Sequence, residues 1–96
     1  MIQPTVGRVV WYWPAEGDEI VALSGQPLAA HVAAVWSDTC VNLMVIDANG
    51  NPTNRTSVLL VQEGAPRPTH NFCEWMPYQK GQAAKTEALQ AKLAAA

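Results

Sequence analysis

Six large aromatic side chains are the residues most able to do something at a surface. Trp11-Tyr12-Trp13 sets three rings in consecutive positions, Trp36 stands alone, and Trp75 and Tyr78 flank Met76-Pro77. Tryptophan and tyrosine are the residues from which protein interfaces draw most of their energy, so these six are the candidate partner-binding residues. On an extended strand Trp11 and Trp13 share one face and Tyr12 takes the other, so all three cannot enter one core. In the simplest arrangement two of them fill a small interior and the third covers its rim. In the alternative they form an aromatic contact surface. A groove for proline-rich peptides is built from such rings, but the acidic and aromatic loop signature of signalling SH3 domains is missing.

Other chemistries find weaker support. His31, Cys40, His70 and Cys73 make up a Cys2His2 set, and His70-x-x-Cys73 has a workable ligand gap. Structural zinc normally takes two close pairs, whereas His31 and Cys40 are nine residues apart, so two ordinary histidines and two free thiols are expected, with no metal or other cofactor. Ser37-Asp38 near His31 contains the residue types of a nucleophilic triad, but nothing supplies an oxyanion hole or a nucleophile elbow, and Ser-Asp is an ordinary turn dipeptide. No glycine-rich phosphate loop occurs. Asn54-Arg55-Thr56 fits the glycosylation pattern, yet the opening MIQPTVGRVV lacks the basic and apolar segments of a secretory signal. No catalytic residue is expected.

Charge is unevenly placed. Residues 1–79 carry three bases (Arg8, Arg55, Arg67) against seven acids (Glu16, Asp18, Glu19, Asp38, Asp47, Glu63, Glu74), a net −4. Residues 80–96 carry Lys80, Lys85 and Lys92 against Glu87, a net +2. Nucleic-acid binders rest on clustered Lys and Arg, so the body is a poor candidate, while the basic tail leaves a weak nucleic-acid-binding barrel as the alternative function. With 49% apolar residues the chain of 96 can fold, as one domain, and two cysteines exclude a disulfide-dense scaffold. No apolar run approaches the roughly 20 residues of a membrane span.

The elements that must position the aromatics read as β-strands. Val6–Trp13 alternates Val9, Trp11 and Trp13 against Val6, Arg8, Val10 and Tyr12. Pro14 and Gly17 end it, and a long loop runs to Pro27, with room for a short strand over Ile20–Leu23. Leu28–Trp36 alternates Leu28, Ala30, Val32, Ala34 and Trp36 against Ala29, His31, Ala33 and Val35, and Ser37-Asp38-Thr39 turns it back into Val41–Asp47. Asn49-Gly50 supplies the positive φ of a hairpin turn, and Thr56–Gln62 returns as the next strand. Asn71–Met76 forms a short last strand that Pro77 ends. Gln82–Leu93 is helix-prone, with Leu89 and Leu93 as its only large apolar contacts, so it frays or docks on a partner. The chain is thus expected to be mainly β: a small SH3-like barrel of about five strands over residues 1–79, with an OB-like barrel as the alternative, and an alanine-rich helical or partly disordered tail over 80–96.

The segments VGRVVWYWP, QPLAAHVAAVWSD, VNLMVIDANG, RTSVLLVQEG and EWMPYQKGQ resemble a family of small uncharacterised proteins of tailed bacteriophages and prophages. The resemblance covers residues 4–82 and brings no catalytic residue with it. It implies a non-enzymatic structural or protein-interaction module in the bacterial cytoplasm or on the virion. Phage or host proteins, or a second copy of the chain, are the expected partners.

Overall fold

The computed structural model describes residues 1–95. Five strands close into a barrel: β1 (Val9–Trp13), β2 (Leu28–Ser37), β3 (Cys40–Ile46), β4 (Pro52–Val61) and β5 (Phe72–Glu74). Strands follow one another around the barrel in sequence order, antiparallel from β1 to β4. Closure comes from β5, which runs antiparallel to β1 and parallel to β4. The chain is thus mainly β, a small closed barrel of five strands with a C-terminal helix, as expected. No helix among the described residues is long and apolar enough to cross a membrane.

Alternation decides what lies inside. Val10 and Tyr12 of β1, Leu28, Ala30 and Val32 of β2, and Val41, Leu43 and Val45 of β3 all point into the core. Val58 and Leu60 of β4, Cys73 of β5 and Trp75 complete it. Two irregularities break the pattern in β2, between Val32 and Ala34 and between Val35 and Ser37, and they turn the end of the strand out of the core. Trp36, in phase with Leu28 and Val32 by simple alternation, is exposed in consequence.

Several boundaries move from their sequence-based positions, each for a local reason. β1 starts at Val9 because Thr5–Arg8 is a turn, closed by Arg8 N–H donating to Thr5 O (3.2 Å), with Gly7 at φ +94°. Ile20–Leu23 is not a strand: Asp18 Oδ1 accepts the Ile20 N–H (3.0 Å), and a further turn bond joins Gln26 N–H to Leu23 O (3.1 Å). The hairpin turn forms at Asn49-Gly50, with positive φ at Gly50 (+86°) and not at Asn49, and with the Asp47 carboxylate accepting from Asn49 N–H (2.9 Å) and Asn51 N–H (2.8 Å). β4 then begins already at Pro52, at a strand end where the missing donor costs nothing.

The helix α1 (Pro77–Ala95) begins five residues before Gln82. Pro77 occupies its first turn, where proline is favoured. Buried Gln79 fastens that turn to the barrel: its Nε2 donates to Val9 O (2.9 Å) and its Oε1 accepts the Met76 N–H (2.8 Å). The junction between body and tail therefore lies near residue 76, slightly before the expected 79. Beyond Ala83 every residue through Ala94 is exposed, so the later part of α1, a helix of about 28 Å in all, projects from the barrel. The molecule measures 53 × 25 × 23 Å, and its radius of gyration is 14.8 Å. A compact chain of this length gives about 12.5 Å. Ala96, the last residue of the expected tail, lies outside the described residues.

Candidate protein-docking surface

The strand that carries the aromatic triplet has two unlike faces. Val10 and Tyr12 point inward, while Val9, Trp11 and Trp13 point outward and are half-buried. Register extends the outer face sideways: Trp11 is level with Ala29 on one side and Glu74 on the other, Trp13 with Phe72, and Val9 with His31, which is level in turn with Met44. Ala29 is exposed and offers only a methyl group beside Trp11, and Met44 is exposed as well. A tryptophan-centred apolar band therefore crosses the outside of β5, β1, β2 and β3, where a two-faced sheet would ordinarily present polar side chains.

One end of this band is charged. Trp13 Nε1 donates to Glu74 Oε1 (3.3 Å), and Arg67 Nε lies 3.5 Å from Glu74 Oε2. The Arg67 guanidinium carbon is 5.1 Å from the ring centroids of both Trp13 and Phe72, within the range of a cation–π contact. Arg67 belongs to the connection between β4 and β5, and its side chain remains 57% exposed. Phe72, covered by these neighbours, is buried.

The six predicted aromatics separate into three pairs. Trp11 and Trp13 are on the outer band. Tyr12 and Trp75 are core residues, 0% and 1% exposed, which corrects their assignment to a contact surface. Tyr12 turns inward by strand alternation, and its hydroxyl accepts from Asn71 Nδ2 (3.1 Å). Trp75 leaves the end of β5 to close the barrel, with its Nε1 donating to Gln62 Oε1 (3.2 Å). Gln62 is saturated: Oε1 also accepts the Ile2 N–H (3.3 Å), and Nε2 donates to the carbonyls of Ile2 (2.9 Å) and Asp38 (2.8 Å). The third pair is exposed but apart from the band. Trp36, 68% exposed, is at the tip of the β2–β3 hairpin, and Tyr78, 66% exposed, is on the first turn of α1.

Trp36 is held in place despite its exposure. Asn42 Oδ1 accepts both its indole N–H (2.9 Å) and the Ser57 backbone N–H (2.8 Å). Ser57 is a non-glycine residue at φ +52°, in the bulge where β4 slips against β3 between Val41 and Leu43. That left-handed conformation costs roughly 1–2 kcal/mol, which the side-chain hydrogen bond helps offset.

At one end of the barrel Arg55 makes a two-pronged contact with Asp18, Nη2 to Oδ1 at 2.7 Å and Nε to Oδ2 at 3.3 Å. The Arg55 hydrogen bond holds the Asp18 carboxyl below its ordinary range, and the Ile20 N–H acts in the same direction against partial burial. This pair ties the long β1–β2 loop to β4 and gives that loop a fixed position without a strand of its own.

The remaining residue sets are dispersed. Ser37 and His31 are six residues apart on β2, about 20 Å at strand rise, and Ser37 Oγ accepts the Thr39 N–H (3.3 Å) as a turn residue. Cys40 is on β3 and Cys73 on β5, with β4 between them, and both thiols are free. Burial pushes the Cys73 thiol up to about 12. No three of His, Cys, Asp or Glu among the described residues are grouped to hold a metal ion. Arg67, Phe72 and Glu74 complete the outer band and were absent from the aromatic reading. Their link to Trp13 comes from the β1–β5 pairing, which no local pattern announces. Compared with known proteins, the chain matches no family model and is similar to no curated protein and no solved structure.

Proposed function

We propose that this chain is a non-enzymatic protein-interaction module that binds partner proteins, or a second copy of itself, through the outer face of β1, with the projecting helix as a second contact. The observation that carries the reading is the placement of Trp11 and Trp13. The barrel interior is already filled by twelve side chains, drawn from all five strands and Trp75, with Tyr12 and Trp75 its aromatic members, so two of the largest apolar side chains stand outside a core that does not need them. Half-buried tryptophans, with Ala29 beside Trp11 and Phe72 beside Trp13, fit an interface centre, where a few aromatic anchors carry most of the binding energy. Leu89 and Leu93, one turn apart on α1 and both exposed, give the helix an apolar flank of its own. The setting proposed is a bacteriophage or prophage in its bacterial host, on the strength of the five segments quoted above, with phage or host proteins as partners.

The test combines light scattering on the purified chain with capture of partners from phage-infected cells. Trp11→Ser is expected to weaken self-association or capture at least tenfold while leaving cooperative thermal unfolding in place. A chain that stays monomeric at high concentration and captures nothing sinks the proposal, as does capture indifferent to Trp11→Ser.

A further inference from the structure

The charged end of the outer band has the parts of a receptor for a guanidinium group, and one of the chain's own side chains fills it. Trp13 and Phe72 are register partners on β1 and β5, and Glu74 stands two residues further along the same strand. Two aromatic faces and a carboxylate are what a planar cation requires: the rings attract it through their quadrupoles and the carboxylate accepts its N–H groups. Arg67 supplies that cation, 5.1 Å from each ring centroid, with its Nε 3.5 Å from Glu74.

Receptor and occupant differ in how firmly they are held. The rings and the carboxylate belong to paired strands, and Glu74 is oriented independently by the Trp13 indole N–H (3.3 Å). Arg67 comes from the irregular connection between Val61 and Phe72, which contains Gly64, Pro66 and Pro68, and its side chain is 57% exposed with a long ion-pair contact. Withdrawing Arg67 thus removes the cation and leaves the slot standing. The body around it, at net −4, favours a cationic visitor over an anionic one.

We propose that Trp13, Phe72 and Glu74 form a binding slot for an arginine side chain of a basic partner protein, and that Arg67 is an internal ligand that the partner's arginine displaces. This rests on the docking function proposed above and names the chemistry of the partner. Arginine is preferred to lysine because a flat guanidinium can lie against both aromatic rings while offering N–H groups at its edge to the carboxylate. The tethered Arg67 competes at high effective concentration, so the slot resists casual occupancy by free cations and selects partners that also engage the neighbouring tryptophan face.

The experiment is a titration of Arg67→Ala with N-acetyl-arginine methylamide, followed at the Trp13 indole N–H resonance, which Trp13→Phe identifies. A saturable shift is expected in Arg67→Ala, at least fivefold weaker binding in the unsubstituted chain, and at least fivefold weaker binding again when Glu74→Gln is added to Arg67→Ala. The citrulline analogue, of the same shape without the charge, should produce no saturable shift. Arg67→Gln repeats the measurement if Arg67→Ala loses its dispersed spectrum. No saturable shift with the arginine probe in a folded variant overturns the proposal, and so does an equal response to citrulline. If partner capture remains sensitive to Trp11→Ser while no arginine binds, the docking function stands and the slot falls.

Discussion

The two faces of β1 are drawn from five consecutive residues, yet they serve opposite ends. Val10 and Tyr12 enter a sealed interior and Tyr12 is wholly buried, while Val9, Trp11 and Trp13 stand on the outside, half-covered. The outer face is the more aromatic of the two. In a small barrel the interior is narrow, and Tyr12 from β1 and Trp75 from beyond β5 are the only aromatics among the twelve side chains of its core cluster. Aromatic content therefore did not measure burial here. The difference teaches that the bulkiest residues of a strand can be placed for recognition while smaller neighbours do the folding.

Substitutions can break or sharpen this contrast. The largest effect should come from the inner face: Tyr12→Ala or Trp75→Ala should each cost about 3–5 kcal/mol in denaturant unfolding, because each empties a space no neighbour can fill. Such a loss approaches the whole stability of a domain of this size. A cost below about 1 kcal/mol for either would mean the interior is not packed as described.

Next comes the Asp18–Arg55 pair. Asp18→Asn should cost about 1.5–3 kcal/mol, the scale of hydrogen bonds to a charged group. The folded-state pKa of Asp18 is lowered, so its contribution is whole above the ordinary value of 3.8 and is lost as the pH falls through the folded value. Stability measured across the acid range should therefore fall more steeply in the unsubstituted chain than in Asp18→Asn. Parallel curves would show that the pair does not hold the loop.

The smallest effect on folding belongs to the outer face. Trp11→Ser should cost about 1 kcal/mol, since only part of the ring leaves contact, while binding falls by the tenfold proposed above. A destabilisation equal to that of Tyr12→Ala would erase the distinction between the faces and make Trp11 a core residue in all but position.

Much of this architecture was legible in the residues. The strand over Val41–Asp47 and the Asn49-Gly50 turn after it were both legible, because both signals are local, while only the closed barrel shows that Val41, Leu43 and Val45 face the core. Trp36 was named as a surface candidate and is exposed, but the cause of its exposure was not legible: two irregularities in β2 shift the phase of the strand between Val32 and Ser37, and bulges depend on the register against β3. The early start of α1 was likewise hidden, since the reading rested on helix propensity from Gln82 onward while Gln79 is held by Val9, seventy residues away. Trp75 looked like one member of an exposed cluster with Tyr78, and only Gln62 and the closing of the barrel turn it inward.

What the sequence determined by itself was a short β-rich body with alternating strands, well-marked turns, an acidic balance and a basic alanine-rich helix. Those follow from periodicity, turn chemistry and charge, all of which act between near neighbours. The tertiary structure decided which face of each strand is the inside. It brought Trp13, Phe72, Glu74 and Arg67 to one place, and it separated Tyr12 and Trp75 from the aromatics that remain accessible. The physical reason is closure: pairing β5 with β1 joins residues some sixty positions apart, and only a closed barrel has an inside to fill and an outside to leave exposed.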